Sequence, residues 1–418
     1  MSGALEVTTA KAVPAREPAR PTSGFERWRG GLLGGLLGGL RGGLTRARAQ
    51  AERLGGLRLP LPDIGWADLI QSRAQAAERP RTLNLALQGG GAHGAFTWGV
   101  LDRLLEEGRI EIASVSGTSA GAMNAVSLAQ GLMEGGPPLA RERMGEFWRA
   151  VSATARYSPL RPHPFDPAAA RDGQVSETRM VLFDLMTRLF SPYQFNPLDF
   201  NPLREVLEQS IDFRRLRRDS PVALYIAATD VATGKPRIFR DAELSVDCLL
   251  ASACLPQLHR AVKVGRRHYW DGGFSANPAI LPLVEDGLAE DTLIVQLDPA
   301  INAKVPKNAR AIIARINHLT FGAPLQREIE AIEHLRAVAG EGWAFGSARR
   351  RRLRRHRFHH IAAGAAVRKL GPGSRLTPEW QVLCRLRDMG RAAAQAWLNQ
   401  NCEAVGRRST VDLTAKFL

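Results

Sequence analysis

The residues best suited to chemistry begin with a serine that stands between small residues. Ser119 is the centre of residues 117–121, Gly-Thr-Ser-Ala-Gly, which have the G-x-S-x-G spacing of a nucleophile elbow. A strand is predicted at residues 112–116 before the motif, and an alanine-rich helical run follows it. Because Gly117 and Gly121 leave room around a sharp turn, the sequence predicts that Ser119 is an accessible nucleophile between a strand and a helix.

A glycine-rich loop precedes the elbow and offers a place for negative charge. Residues 83–87 alternate apolar with small or polar side chains, as a strand does, and three consecutive glycines then break the pattern. Beyond the glycines, apolar residues recur at helical spacing, so the loop opens onto a helix N-terminus. The N–H groups and the dipole of a helix N-terminus stabilise an anionic oxygen. We therefore expect an oxyanion hole at Gly89, Gly90, Gly91, Ala92, His93 and Gly94.

A serine nucleophile needs a base, and a carboxylate much later in the chain lies in a suitable turn. Asp271 ends an apolar stretch and is followed directly by Gly272 and Gly273. An acid before two glycines suits a tight turn that holds the carboxylate in one place. Asp271 is therefore the candidate base for Ser119.

In this order, the three motifs resemble the patatin-like lipid acyl hydrolases, whose hallmarks are a glycine-rich oxyanion loop, G-x-S-x-G, and D-G-G or D-G-A. Two further segments are similar to that family: residues 227–230, Ala-Ala-Thr-Asp, and residues 251–256, Ala-Ser-Ala-Cys-Leu-Pro. The resemblance runs from about Leu83 to the C-terminus. It implies a hydrolase of phospholipids, lysophospholipids or related acyl esters.

The resemblance also implies a mechanism with two catalytic side chains and no cofactor or metal. Ser119 would attack an acyl carbonyl and Asp271 would accept its proton, forming a Ser-Asp dyad. The family's loop usually carries Arg or Lys where this chain has His93. Histidine is fully charged only when protonated, so we expect the help that His93 gives to an oxyanion to depend on pH.

Two other classes of function remain open from the sequence. A Ser-His-Asp α/β-hydrolase would need a histidine after the acid, although in that fold the elbow normally follows several strands rather than one. The histidines available for it are His318, His334, His359 and His360. The second alternative is a non-catalytic membrane-surface protein built on the same scaffold, which would not depend on Ser119.

Strands and helices alternate through the remainder of the chain. Buried strands are predicted at residues 222–226, 292–297 and 358–362, and long helical segments at about 308–348 and 378–402. This alternation predicts a three-layer α/β/α sandwich with a largely parallel central sheet.

A proline-rich stretch from residue 141 to 198 interrupts that alternation and surrounds a helical piece near residues 180–190. We interpret it as an insertion over the active site. The helical piece is unusually apolar for a connector. It would either pack against the sheet or form a lid or a wall for an acyl chain.

The first 80 residues differ in composition from the rest and are rich in Ala, Arg, Gly and Pro. We predict a flexible extension over residues 1–80 and a catalytic domain over residues 81–418. Within the extension, residues 30–44 repeat Leu and Gly every four residues, which fits an interfacial membrane helix or a glycine-rich linker. The first residues do not have the pattern of a secretory signal, so a cytoplasmic location is expected.

The net charge of +16, from 57 Lys and Arg against 41 Asp and Glu, favours contact with phosphate-rich surfaces. Residues 349–357 alone hold seven arginines in nine positions. No nucleic-acid recognition motif accompanies them, so we expect peripheral contact with an anionic inner-membrane surface rather than with nucleic acid. The four cysteines have no metal-binding or disulfide spacing. Oligomeric state is left open.

Overall fold

The fold comes from a computed structural model, which describes residues 81–155, 177–298, 305–340, 348–364, 367, 370 and 372–418. The predicted extension over residues 1–80, with its Leu and Gly repeat, lies outside the described residues.

The described residues form eight strands and thirteen α-helices. The strands are β1 (Arg81–Leu87), β2 (Ile110–Thr118), β3 (Ala223–Asp230), β4 (Pro236–Arg240), β5 (Val262–Val264), β6 (Arg267–Asp271), β7 (Asp291–Gln296) and β8 (Arg357–Ala362). The helices are α1 (Gly94–Glu107), α2 (Ala120–Gly135), α3 (Pro137–Thr154), α4 (Glu177–Leu189), α5 (Pro192–Phe195), α6 (Pro202–Ser210), α7 (Phe213–Asp219), α8 (Val246–Ser252), α9 (Leu281–Asp286), α10 (Ala309–Gly340), α11 (Ala348–Arg355), α12 (Trp380–Asn401) and α13 (Leu413–Phe417).

The strands form one mixed sheet in the order β5-β6-β3-β2-β1-β7-β8, with β4 also paired to β3. From β3 to β8 every neighbouring pair in this order is parallel, whereas β4, β5 and β6 run antiparallel to their partners. The largely parallel sheet predicted from the sequence is confirmed. The carboxyl ends of β1 and β2 lie side by side because Leu87 pairs with Gly117.

Two different strands share one edge of β3. Strand β2 covers this edge as far as Ala227, which pairs with Thr118. The next residue of β3, Ala228, pairs with Asp271 of β6. The end of β2 and the end of β6 therefore meet against β3, which brings Ser119 and Asp271 together from positions 152 residues apart.

Helices cover both faces of the sheet, as a three-layer sandwich requires. Along β1, Leu85 and Leu87 belong to one buried apolar cluster, whereas Ala86 between them belongs to another. This alternation follows from the two-residue period of a strand. Side chains of α1, α2, α3 and α12 complete the first cluster, and side chains of α9, α10 and α13 complete the second.

The apolar helix predicted near residues 180–190 is α4. Leu182, Leu185, Met186 and Leu189 are all exposed, which contradicts the alternative in which this helix packs against the sheet.

Most of the arginine-rich run is helical, because residues 348–355 form α11. Leu353 is buried and anchors the helix, and the side chain of Arg349 pairs with Glu285. Arg352 donates a hydrogen bond to the carbonyl oxygen of Glu285 at 2.7 Å. Part of the arginine cluster is thus paired within the protein. Across the described part of the chain, none of the helices has the length and apolar character to cross a bilayer.

Candidate active site

Ser119 stands at the turn between β2 and α2 in a conformation that few residues other than glycine adopt. Its φ is 53° and its ψ is −120°, which is the strained backbone of a nucleophile elbow. A Cβ atom at Gly121 would lie 2.2 Å from the carbonyl oxygen of Leu87, and one at Gly117 would lie 2.6 Å from Gly121. Gly121 is therefore required because the turn packs directly on β1, and Gly117 is required because the first turn of α2 packs on the end of β2.

The elbow is also held from the opposite side by α8. The backbone N–H of Ser119 donates a hydrogen bond to the hydroxyl of Ser252 at 2.9 Å. Ser252 is fully buried, whereas Ser119 is only partly buried. The nucleophile candidate thus keeps an accessible side while its backbone is fixed.

Asp271 ends β6 with its carboxylate directed at the elbow. The residue is 2% exposed, and the Ser119 side chain is close enough to lower its pKa. Its Oδ1 also accepts a hydrogen bond from the backbone N–H of Gly273 at 2.7 Å. A Cβ atom at Gly272 would lie 2.2 Å from the carbonyl oxygen of Ala227. The glycines after Asp271 therefore let the turn fold tightly against β3 and hold the carboxylate.

The charge state of Asp271 is set mainly by its burial. Removal from water raises the pKa of this carboxyl to about 7, although the hydrogen bond from Gly273 and the nearby Ser119 side chain act in the opposite direction. The carboxyl is thus about half ionised at neutral pH. This is the range in which a general base accepts and returns a proton most readily.

The glycine-rich loop touches the elbow. A Cβ atom at Gly89 would lie 2.9 Å from the Cβ atom of Ser119, and the backbone N–H of Gly89 donates to Asn277 Oδ1 at 2.8 Å. Gly91 has a φ of 59° and begins a short 3-10 turn, after which α1 begins at Gly94. The loop therefore leads into a helix beside the serine, as the sequence predicted.

His93 is buried in this loop, and its Nε2 lies 2.7 Å from the hydroxyl of Ser374. Burial, together with the nearby guanidinium of Arg375, lowers the pKa of His93 to about 4. The imidazole is therefore neutral between pH 6 and 8. Any pH dependence that the charge of His93 causes is therefore expected near pH 4, because burial disfavours the imidazolium.

Four residues next to these motifs were missed by the sequence reasoning. They are Ser252, Asn277, Ser374 and Arg375. Only Ser252 had a signal, since it lies in the segment 251–256 that resembles the family. Arg375 comes from a short turn after β8, and its carbonyl oxygen would lie 2.4 Å from a Cβ atom at Gly91. Nothing in local sequence indicates that this turn returns to the glycine-rich loop.

The histidines considered for a catalytic triad have partners elsewhere in the fold. The His318 side chain lies 3.0 Å from Asp298, His359 lies 2.9 Å from Asp291, and His360 lies 2.9 Å from Gln296. His334 is exposed. The Asp271 carboxylate accepts a hydrogen bond from Gly273, and the side chains that shift its pKa include Ser119 but no imidazole. This arrangement disfavours the Ser-His-Asp alternative.

A mixed and largely parallel sheet between helical layers, with a serine elbow beside a buried carboxylate, defines the patatin fold. Residues 85–284 match the family model for the patatin-like phospholipases. This part of the chain is a patatin-like phospholipase domain.

One curated relative is a cGAMP-activated phospholipase of Escherichia coli (strain TW11681), which is 29% identical to this chain. The match covers 51% of this chain and 58% of the relative, so the chain spans less than two thirds of that protein. Two solved structures are similar at 16% identity. VipD from Legionella pneumophila matches over 77% of this chain and 67% of its own, with a TM-score of 0.36. The ExoU–SpcU complex of the type III secretion system of Pseudomonas aeruginosa matches over 78% of this chain and 53% of its own, with a TM-score of 0.34.

Proposed function

We propose that this protein is a serine lipid acyl hydrolase that cleaves acyl esters of phospholipids or related lipids through an acyl-Ser119 intermediate. The observation that supports it best is the position of Ser119, on its strained elbow, close enough to the buried carboxyl of Asp271 to lower its pKa. The match of residues 85–284 to the patatin-like phospholipases supports a lipid as the substrate.

In the proposed reaction, Ser119 Oγ attacks the ester carbonyl carbon while its proton passes to Asp271. The carbonyl oxygen becomes negative in the tetrahedral intermediate, and the backbone of residues 89–94 stabilises it. Collapse breaks the ester C–O bond, and Asp271 returns the proton to the leaving alcohol. Asp271 then takes a proton from a water molecule that attacks the acyl-enzyme, which releases the fatty acid and restores Ser119. Protein groups and water are sufficient for every step.

Neutral His93 cannot supply positive charge to the oxyanion at neutral pH, since its pKa is about 4. The guanidinium of Arg375 is near enough to lower that pKa, so it contributes positive potential at the glycine-rich loop. Arg375 also lies 2.9 Å from Asp298, which partly offsets its field. Stabilisation of the oxyanion in this protein therefore depends mainly on backbone N–H groups.

We also propose peripheral contact with an anionic membrane surface, where the substrate would be found. The net charge of +16 and the arginine-rich helix α11 support it. Several α11 arginines are exposed, including Arg354 and Arg355.

The function is tested by incubating the purified full chain with a mixed lipid extract and identifying by mass spectrometry which species lose an acyl chain. The assay runs with and without cGAMP, because the Escherichia coli relative is named for activation by it. Ser119→Ala is the matched control. A fluorophosphonate probe should label the unaltered chain and leave Ser119→Ala unlabelled. If the unaltered chain neither reacts with the probe nor releases an acyl chain under any condition, the proposal is rejected.

A further inference from the structure

Helix α4 turns its apolar face to solvent. Leu182, Leu185, Met186 and Leu189 have the i, i+3, i+4, i+7 spacing that places side chains on one helical face. A helix of a globular protein normally buries such a stripe against the core, yet all four side chains are exposed, with Leu189 at 63%. The stripe therefore has no covering partner among the described residues.

The exposed apolar surface continues along the chain after α4. Phe190, Tyr193, Leu198 and Phe200 are also exposed, and Leu198 reaches 91%. A concentration of large apolar side chains in one surface segment marks an interaction site rather than ordinary surface variation.

A second apolar stripe lies on the first half of α10. Ile312, Ile316 and Leu319 share one helical face and are exposed, Ile316 by 54%. The charged residues in the sequence around this stripe are all basic, since residues 299–327 contain no Asp or Glu. Their charged residues are Lys304, Lys307, Arg310, Arg315 and Arg327.

Helix α10 reaches the acid turn of the proposed active site through Phe321, which is two residues beyond Leu319 and on the opposite face of the helix from the stripe. The Phe321 ring packs on Phe274 with ring centroids 4.8 Å apart. Its carbonyl oxygen accepts a hydrogen bond from Asn277 at 2.9 Å. The side-chain oxygen of Asn277 accepts a hydrogen bond from the backbone N–H of Gly89 in the glycine-rich loop.

The segment after α4 reaches the same turn from another direction. The Arg260 guanidinium donates to the carbonyl oxygen of Pro197 at 2.8 Å, and it lies over the Tyr193 ring. The carbonyl oxygen of Arg260 accepts from the Cys254 thiol at 3.1 Å. The backbone N–H of Asp271 in turn donates to the carbonyl oxygen of Cys254 at 2.8 Å. Helix α10 and the segment after α4 are therefore both attached to the turn that carries Asp271.

We infer that the exposed apolar residues of segments 181–200 and 312–319, here called the apolar rim, dock on an anionic lipid bilayer with the Ser119–Asp271 site facing the lipid. The inference deepens the proposed function and rests on it. A bilayer accepts apolar side chains without a matching shape, and its phosphates complement the acid-free, basic stretch around the α10 stripe. A single lipid molecule then has a short path from the surface to Ser119.

The test measures flotation of the full chain with vesicles of phosphatidylglycerol and phosphatidylcholine. Every variant also carries Ser119→Ala, so lipid is not consumed and binding is measured apart from hydrolysis. The two rim variants are Leu185→Ser with Leu189→Ser, and Ile312→Ser with Ile316→Ser. The control is Leu335→Ser with Val338→Ser on the same helix α10, because these side chains are similarly exposed, at 40% and 48%, beyond the rim. We expect each rim variant to lower the partition coefficient about tenfold, since partial burial of two leucine-sized side chains is lost, and the control to leave it unchanged.

A fluorescent label reports the same contact directly. Leu198→Cys carrying an environment-sensitive dye should shift to shorter wavelength on anionic vesicles, whereas the dye at Leu335→Cys should not. The unaltered chain is labelled in parallel because its Cys384 is partly exposed.

The inference is overturned if the control variant weakens binding as much as the rim variants, or if the dye at position 198 does not respond. It is also overturned if rim variants bind normally while removal of residues 1–60 abolishes binding, because the extension would then make the contact. The extension would instead cover the rim if the emission of the dye at position 198 were shifted to shorter wavelength without vesicles and if removal of residues 1–60 abolished that shift. Soluble-ester hydrolysis, measured with Ser119 restored, separates this failure from failure of the proposed function: if the rim variants bind vesicles as well as the unaltered chain and still cleave the soluble ester, the rim alone is rejected.

Discussion

At the residue scale, the proposed reaction depends on one carboxyl group that burial keeps close to its point of half-ionisation. The hydrogen bond from Gly273 and the nearby Ser119 side chain favour the charged form of Asp271, but removal from water has the larger effect and raises the pKa to about 7. A carboxylate at its ordinary pKa near 3.9 would be a weak base for a serine hydroxyl. The apolar surroundings of β3 and β6 therefore strengthen the base as well as hold it.

This pKa predicts the pH dependence of hydrolysis. Only ionised Asp271 can accept the proton of Ser119, so kcat/KM for a soluble short-chain ester should rise with pH and level off above a midpoint near 7. Below the midpoint it should fall about tenfold for each pH unit. His93→Gln should leave the midpoint in place, because His93 is already neutral there. A profile that stays flat from pH 8 to pH 5 would contradict the assignment.

The same site predicts which side chains cannot be replaced. Asp271→Asn should remove soluble-ester activity about as completely as Ser119→Ala, by roughly a thousandfold or more, because residues that act as one unit fail together. Replacement of His318, His334, His359 or His360 one at a time should not do so. His93→Ala should slow turnover only in part and leave labelling by a fluorophosphonate detectable.

Circular dichroism provides the folding control for these variants, which matters most for His359 because it is fully buried against Asp291. If one of the four histidine variants is folded and inactive while Asp271→Asn retains activity, the Ser-Asp dyad is the wrong mechanism.

At the scale of elements, the elbow depends on how closely α2 approaches β1. A Cβ atom at Gly121 would overlap the carbonyl oxygen of Leu87, 2.2 Å away, and neither backbone can yield without moving Ser119. We predict that Gly121→Ala lowers soluble-ester kcat at least about a hundredfold, since misplacement by an ångström is that costly in an active site.

The matched control is Gly322→Ala in α10, where a Cβ atom would meet nothing within 4 Å. It should keep its activity and gain slightly in unfolding free energy, as a glycine-to-alanine change in a helix does. Equal activity of both variants would show that the elbow tolerates displacement from β1.

The difference between what the sequence predicted and what it missed follows the range of the interactions. The elbow, the glycine-rich loop and the acid turn are local patterns, because small residues and chain reversals are needed wherever they occur. Asn277 and Arg375 reach the site through tertiary packing, which the residues next to them in the sequence do not predict. The apolar pattern of α4 predicted a helix correctly, but a helical period does not say whether the apolar face meets the core or solvent.

The pKa of His93 could not be predicted from the sequence for a related reason. Its position in the glycine-rich loop was evident from the sequence, but its pKa depends on burial and on a guanidinium 282 residues away. The sequence predicted that the sheet is largely parallel, but it did not predict the order of the strands. The antiparallel run of β6 along the edge of β3, which brings Asp271 to Ser119, has no signature in the residues of either strand.

At the scale of the whole molecule, membrane contact should combine the apolar rim with Coulomb attraction. Salt screens exposed charges with a Debye length of about 10 Å at 0.1 M, so binding to anionic vesicles should fall as salt rises. Arg354→Gln with Arg355→Gln in α11 should weaken binding at low salt and reduce that dependence.

The control for this prediction removes two exposed arginines from α7, Arg214→Gln with Arg218→Gln, and so changes the net charge equally. If both pairs act alike, net charge rather than α11 governs the attraction. If binding is independent of salt, apolar insertion alone accounts for it.

A truncation addresses the N-terminal extension. Removal of residues 1–60, which include the Leu and Gly repeat and its flanking arginines, should weaken sedimentation with anionic vesicles. It should spare hydrolysis of a soluble ester, because every residue of the proposed site lies between Gly89 and Arg375. Loss of soluble-ester activity in the truncated chain would show that the extension belongs to the catalytic fold.

The shared edge of β3 makes this protein separable into two complementary fragments. A break after α3 would leave Ser119 and the glycine-rich loop on one fragment and Asp271 on the other. Neither fragment alone would possess both a nucleophile and its base. Reassembly of β2 and β6 against β3 would restore them together, so that ester cleavage would report the association of any two proteins fused to the fragments.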